Sequence, residues 1–498
     1  MELIQRKEDA HGGQRKEKQH THGKLTAWER MEQLFDKDTF VEIDMFLEHR
    51  CQYFGMELRK KEGDGVIAGY GRVNGRVVCA YAQDFTVFGG SISEMNARKV
   101  TDIQNKALQM GVPIVGLFDS GGARVQEGIQ GLSGHGNIFY QNVRASGKIP
   151  QISAIMGTCA GGASYSPALT DFIFMVENTG SLFITGPKVV KEAIGETATI
   201  YELGGTRIHA CVSGMADVVV SDDLSCIDGI KKLLEYLPDN YKSQPLADTN
   251  YSYDQKKRKQ IKKILPESNR RAFDILKLIE ALVDDDSIFE IKKDFAKNIV
   301  TVFARMAGRP IGIIANQSLE KAGCIDIDAA DKAAAFIRIC DSFRIPLLNL
   351  TDVPGFYPGK DQEQRGIIRH GAKMLYAHSE ATVPEITVIL RKGYGGAYLA
   401  MGSKEMGADM VFAWPEAEMA VMGANAAVEV LYKNASAEEK QAGLLEYEKR
   451  FLNPYEAAHM GYVDEVIAPS DTREHILKVL DTMVKRLGDD KMHGNIPL

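Results

Sequence analysis

The chain repeats itself, and that repeat limits its fold more than any other feature. Pro113 leads into the apolar run "IVGLF" and Pro346 into "LLNL", 233 residues further on. The pairs Gly161-Gly162 and Gly395-Gly396 are 234 apart, Gly186 and Gly423 are 237 apart, and Asp171 and Asp409 are 238 apart. A nearly constant offset across four landmarks marks two copies of one unit, so both halves must fold on one plan.

The plan is an alternation of strands and helices. Residues 65–90 read as strands and turns, with Asn74-Gly75, a type I′ pair, between two β-rich runs. A helix follows, capped by Ser91 or Ser93, with Val100, Ile103, Ala107 and Met110 on one apolar stripe and Gly111 as its stop. The strand "IVGLF" then ends at "DSGGAR", the helical "GNIFYQNVRASGK" leads to the strand "QISAIM", and a glycine turn comes next. In the later half Ala333, Phe336, Ile337 and Cys340 share a helix face, "LLNL" ends at "TDVPGF", and "EITVIL" runs into "RKGYGGAYLAM". Short buried strands alternating with helices predict an α/β fold. A polar stretch from Pro238 separates the copies and places the domains at 1–255 and 256–498. Its basic run, Lys256 to Lys263, reads as a solvated face.

Composition excludes several classes of function. A net charge of -7 argues against nucleic acid as the main partner, so an anionic ligand has to be met by a local site. Seven scattered cysteines without a CxxC pair favour a reducing compartment and offer no zinc site. The N-terminus, "MELIQRKEDAHGGQRKEKQHTHGK", has no apolar core of a secretory signal, and no window has the run of roughly eighteen apolar residues that a membrane span needs. A cytoplasmic protein is expected. His11, His20 and His22 read as part of a solvated or surface-packed arm, and no metal site is expected.

The chemistry concentrates in the two glycine turns. Glycines between a buried strand and a helix let a ligand approach the backbone and leave N–H groups free to meet an oxygen that becomes negative. Two such turns suggest that both reactants develop negative oxygen. No GxSxG elbow and no Walker lysine motif is present. Asp119 and Asp352 end equivalent strands but have different followers, Ser-Gly-Gly and Val-Pro-Gly, which favours capping of the next turn over a shared catalytic role. Cys159, inside the first turn, has no histidine placed as its base and reads as a small packing residue. Tyr394 and Tyr398 flank the second glycine pair and either pack or line a pocket.

The runs "DSGGARVQEG", "GTCAGGASYSPALTDF", "LFITGPKVVKEAIGE", "GIIRHGAKMLYAHSEATVPEITVILRKGYGGAY" and "FAWPEAEMAVMGA" closely resemble the carboxyltransferase (β) subunits of biotin-dependent acyl-CoA carboxylases. The branch of propionyl-CoA carboxylase and methylmalonyl-CoA decarboxylase is the most similar, from about Gly23 to Val466. This resemblance implies two tandem crotonase-like domains of the ClpP type with a βαβ superhelical core, assembled as a homohexamer, a trimer of dimers. It implies carboxyl transfer between carboxybiotin and the α-carbon of a short acyl-CoA. The amides of Gly161 and Gly162 would hold the enolate oxygen, and those of Gly396 and Ala397 the ureido oxygen of biotin. Substrate-binding positions would be Gly121, Gly122, Ala123, Ala160, Ala163, Tyr165 and Gly186, and biotin-binding positions Gly393, Tyr394, Gly395, Tyr398 and Leu399.

No lysine stands in the Ala-Met-Lys-Met context of a biotin carrier, so the resemblance implies biotin on a separate carrier and a biotin carboxylase partner. The chain departs from the family pattern at Thr158 and Ser164, at Trp28 in "KLTAWER", and at Leu399, where propionyl-CoA enzymes commonly place Asp at a position associated with acyl selection. A decarboxylase or transcarboxylase subunit working in the reverse direction is the alternative within the same fold. A non-catalytic CoA-binding scaffold would predict an eroded glycine pair, and both pairs are whole.

Overall fold

The structure is a computed structural model that describes residues 6, 16–266, 268–269, 271–483 and 493–496. Of the arm histidines, His11 lies outside the described residues. His20 is bonded to Glu29 (2.9 Å) and His22 to the Lys18 carbonyl (2.7 Å). Contacts divide the chain between Gln244 and Pro245 into two compact units, upstream of residue 255, and 493–496 belongs with the first.

In the first unit one sheet is built from β1 (Val41–Glu42), β2 (Val66–Val73), β3 (Arg76–Gln83), β4 (Ile114–Ser120), β5 (Gln151–Ala160), β6 (Phe172–Val176), β7 (Ser181–Phe183) and β8 (Val218–Val220). Its order is β1-β2-β3-β4-β5-β6-β8, with β7 paired to the far end of β5. The pairings from β3 onward are parallel. Every residue of β4 is buried, as expected of a parallel strand covered on both faces. Asn74 (φ 50°) and Gly75 (φ 80°) form the tight β2–β3 turn, and both N–H groups donate to Asp36 (3.0 and 2.8 Å). The helix Glu94–Met110 is capped by Ser93, whose Oγ accepts from Asn96 N, and ends at left-handed Gly111. Val100, Ile103 and Ala107 are buried, but Met110 is 43% exposed, so the buried stripe stops one turn short of the expected end.

The second unit repeats this arrangement strand for strand: β9 (Phe289–Ile291), β10 (Ile299–Met306), β11 (Arg309–Asn316), β12 (Leu347–Val353), β13 (Glu385–Tyr394), β14 (Met410–Ala413), β15 (Glu418–Ala420) and β16 (Glu465–Val466). Its order is β9-β10-β11-β12-β13-β14-β16, and β15 pairs with β13. Both β4/β5 and β12/β13 carry a register shift at their ends, beside Asp119 and Asp352. The parallel strands also begin alike. The N–H groups of Gln151 and Glu385 donate to Asp171 (2.8 Å) and Asp409 (2.9 Å), and those of Ile173 and Val411 to Asp217 (2.7 Å) and Asp464 (2.8 Å). The run Lys256–Ile264 is a helix with Ile261 buried and Arg258 bonded to Asp471 (2.6 Å). Among the described residues no helix is long and apolar enough to cross a membrane, and no cluster of His, Cys, Asp and Glu is placed to hold a metal ion.

Candidate active site

The first turn starts where β5 ends. Gly161 has φ 61°, a conformation that side chains rarely adopt, and it reverses the chain into the short helical turn Gly161–Ser164 and the helix Tyr165–Ala168. The leading N–H groups of a helical turn have no acceptor within it and remain available to a ligand. Ser164 Oγ donates to the Gly161 carbonyl (2.6 Å) and steadies the turn. Across from it the loop after β4 comes close: a Cβ on Gly122 (φ 97°) would stand 2.8 Å from the Ala160 carbonyl. The amides of Gly121 and Gly122 are committed to the Gly89 carbonyl (2.9 Å) and Ser120 Oγ (3.2 Å), and Ala123 bridges Ile92, so this loop shapes the mouth of the turn. Behind the turn lies a cavity of about 460 Å³, walled by Tyr165, Leu182, Phe183, Ile184 and Met215. Gly186 caps the helix Pro187–Ile194 next to that wall, and Ala163 is buried beneath the turn.

The second turn repeats this geometry. Gly395 has φ 57° and opens the helix Gly395–Ala400 directly after β13. A Cβ there would press on the Val421 carbonyl at 3.1 Å. Gly393, Gly395, Gly396, Tyr398 and Leu399 line a cavity of about 850 Å³, closed by apolar groups such as Met419, Val430 and Phe451. Ala397, the next residue of the turn, is wholly buried within the helix. Tyr394 turns the other way: its hydroxyl donates to Glu418, and a Cβ on Gly423 would lie 3.5 Å from its ring. Burial and the Glu418 carboxylate both push that hydroxyl up.

Asp119 and Asp352 do not cap the turns that follow them. Asp119 is buried against Gly157 and accepts from Lys24 Nζ (2.7 Å), with Arg30 at 3.5 Å. Asp352 accepts from Arg391 (2.5 and 3.2 Å) and from the Lys392 amide (3.2 Å). A buried carboxylate needs a cation more than a turn needs a cap, and the neighbouring Arg and Lys decide the outcome. Cys159 is buried, and burial pushes its thiol up, which fits packing and not nucleophilic attack.

Two residues beside the turns escaped sequence reasoning. A Cβ on Gly162 would stand 3.0 Å from Cδ2 and 3.2 Å from Nε2 of His135, so this imidazole supports the second glycine of the first turn. At Gly396 the corresponding support is Phe356, at 3.8 Å. His135 lies on the helix Ile129–Ala145, and Phe356 lies in the loop after β12. Gly134 and His135, buried together on that helix, are the available signal, and it is a weak one.

A left-handed glycine turn between a parallel strand and a helix, built twice on matching βαβ sheets, defines a duplicated crotonase-like α/β protein. A family profile described as the carboxyl transferase domain matches residues 18–496, and the protein belongs to that family. It is 51% identical to methylmalonyl-CoA decarboxylase subunit alpha of Veillonella parvula, over 98% of this chain and 96% of that one. It is 49% identical to the carboxyltransferase subunit of propionyl-CoA carboxylase of Haloferax mediterranei, over 100% and 98% of the two chains. Among solved structures, a hexameric transcarboxylase 12S with methylmalonyl-coenzyme A and methylmalonic acid bound superposes with a TM-score of 0.95 at 47% identity, covering 100% of this chain and 98% of that one. The chain is therefore a carboxyltransferase.

Proposed function

We propose that the protein moves a carboxyl group between carboxybiotin and the α-carbon of a short acyl-CoA, as the carboxyltransferase subunit of an acyl-CoA carboxylase. The single observation that carries this reading is the pair of matched left-handed glycine turns; Gly395 and Gly396 line the second cavity, and Ser164 and Tyr165, just after the first pair, line the other. In the first unit the N–H groups of Gly161 and Gly162 hold the thioester oxygen as it becomes an enolate. Such a fixed donor is worth about 3–4 kcal/mol where water is excluded. Gly121, Gly122, Ala123 and Ala160 shape the entrance. Ala163, Tyr165 and Gly186 set the cavity behind it. The first domain is thus the acyl-CoA side and the second, with Gly393, Gly395, Tyr398 and Leu399 around its turn, the biotin side.

The second turn fits a ureido group, because its left-handed glycine leaves an approach that a side chain would close and its cavity is lined by apolar groups suited to a ring. There Gly396 and Ala397 present their N–H groups to the ureido oxygen, and Tyr394 fixes the turn from behind through Glu418. When bound, biotin borne on another chain or domain would supply the carboxyl group and a basic nitrogen for the α-proton. The cavity walls exclude water and hold the reacting carbon in place.

The relatives bear carboxylase, decarboxylase and transcarboxylase names, and one turn chemistry serves both directions. Identification of the co-purifying subunits separates them. A homohexamer with a biotin carboxylase or carrier partner, in the cytoplasm, completes the proposal, and all seven cysteines are free thiols. The test is the half-reaction of purified protein with methylmalonyl-CoA or malonyl-CoA and free biocytin. Loss of the carboxylated thioester that requires biocytin is expected, and the ratio of the two rates reports on Leu399. Folded protein that leaves both thioesters intact overturns the reading.

A further inference from the structure

The support beneath the first glycine turn has a chemistry that the second turn lacks. Nδ1 of His135 lies 3.0 Å from the Gly131 carbonyl, which can only accept, so Nδ1 carries the proton and Nε2 a bare lone pair. Nε2 is buried and finds no hydrogen-bond partner among the described residues. It sits against Gly162, next to a void of about 10 Å³, room for one water molecule at most. The polar and aromatic groups that face this space are Tyr81 and Gln83 of β3, Phe118 of β4, Phe139 of the ring's own helix, and Ser166, and the other groups lining it are aliphatic. None is a carboxylate, and burial holds the imidazole below its ordinary range. Phe139 is 6.0 Å from the His135 ring and 6.1 Å from that of Tyr165, so the ring also belongs to the aromatic packing that reaches the cavity wall.

We propose that His135 is a positioning residue of the acyl-side turn: as a neutral imidazole it holds Gly162 in place, and protonation at Nε2 withdraws that support and switches the turn off. This rests on the reading of Gly161 and Gly162 given above. A charged ring keeps its Nδ1–H bond to the Gly131 carbonyl, but its new Nε2–H has no anion to meet and finds an acceptor only by shifting toward the hydroxyls of Ser166 and Tyr81 across the void. That shift draws the ring off Gly162. Phe356 beneath Gly396 cannot titrate, so the effect falls on one substrate and not on the other.

The experiment follows methylmalonyl-CoA turnover with biocytin between about pH 5.5 and pH 8.5, with folding checked by circular dichroism at each pH. Wild type is expected to lose kcat below the ordinary histidine value of about 6.5 through a single protonation, with KM for biocytin steady. H135Q, which cannot charge, is expected to lose that acid limb while its kcat at pH 8 falls by about three- to tenfold. H135F, which also cannot charge, is the second variant should H135Q misfold, and it too is expected to lose the limb. The imidazole resonances of carbon-labelled wild type should titrate at the pH of the limb. An acid limb unchanged in both variants, or one expressed in KM for biocytin, overturns the role. Absence of thioester turnover by folded wild type at every pH overturns the functional reading, and the role with it.

Discussion

Asp119 and Asp352 close β4 and β12 at the same point of the repeat, yet their charges are met in different ways. Even the backbone around them agrees, since the N–H of Asp119 donates to Gln83 (3.2 Å) and that of Asp352 to Asn316 (3.1 Å). Asp119 faces Gly157 on β5, and its cations, Lys24 and Arg30, come from the N-terminal segment. Asp352 faces the matching position on β13, where Arg391 stands in place of that glycine and also stacks on Phe273 at 4.6 Å. The copies share the buried carboxylate and differ in the source of its counter-charge, a neighbouring strand in one and a distant segment in the other. A buried charge is therefore the constraint on this architecture, and the source of its partner is free to vary.

The largest expected effect breaks this comparison on the side with one cation. Arg391→Met leaves Asp352 buried without an ion-pair partner among the described residues and should cost about 3–5 kcal/mol. Lys24→Met leaves Arg30 beside Asp119 and should cost about 1–2 kcal/mol. Urea unfolding of the two variants measures both. Equal losses would mean that Lys24, and not Arg30, carries the compensation in the first copy.

The glycine pairs allow a second contrast. A Cβ on Gly162 meets His135 at 3.0–3.3 Å, whereas one on Gly396 meets only Phe356 at 3.8 Å. Gly162→Ala should therefore displace its donor and lower kcat by about 10²-fold, the scale of one lost oxyanion contact. Gly396→Ala should lower it by less than about tenfold. Steady-state rates with methylmalonyl-CoA and biocytin decide, and the reverse order would show that the two turns are not supported as described.

A third contrast concerns the carboxylates that start β5 and β13. Burial pushes Asp171 up to about 7, against the lowering effect of bonds from Asn495 (2.8 Å) and the Gln151 amide (2.8 Å). Its ordinary value is about 3.9, so between about pH 4 and pH 7 the folded protein holds a proton that the unfolded chain has released. Stability contributed by this group is full below pH 4 and is lost as pH rises through 7. Asp171→Asn should remove about 2–4 kcal/mol of that decline, with Asp409→Asn as the matched control. Unfolding midpoints at three values of pH are sufficient, and an unchanged slope in Asp171→Asn would place the titration elsewhere.

Much of this was legible in the sequence because it depends on local pattern. The offset announced two copies, Asn74-Gly75 announced its hairpin, and the glycine pairs announced both turns, since each follows from residues within a few positions of one another. His135, Phe356 and the cations of Asp119 were not legible. They act across helices, loops or about a hundred residues of chain, and a lone histidine on a helix looks the same whether it meets solvent or a glycine. The second β-hairpin was missed for a related reason: its turn is Ala307-Gly308, and alanine carries no turn signal.

That hairpin allows the smallest and sharpest test of how far the copies are equivalent. Ala307 has φ 50° and Gly308 φ 77°, nearly the values of Asn74 and Gly75. Both turns donate their two N–H groups to one carboxylate, Asp36 in the first copy and Asp284 in the second (3.1 and 2.7 Å). The turn geometry and the two bonds to a carboxylate are shared, while Asp284 is also paired with Arg473, so the difference within the turn itself is the intrinsic cost of a left-handed alanine against a left-handed asparagine. Ala307→Asn should then gain about 0.5–1 kcal/mol, and Asn74→Ala should lose about the same, with a little more for its bond to Glu235 (3.3 Å). Differential scanning calorimetry of both variants resolves changes of this size. A gain without a matching loss would mean that Asp36 alone holds the first turn in its conformation, and that the carboxylate, not the asparagine, is what the duplicated hairpin requires.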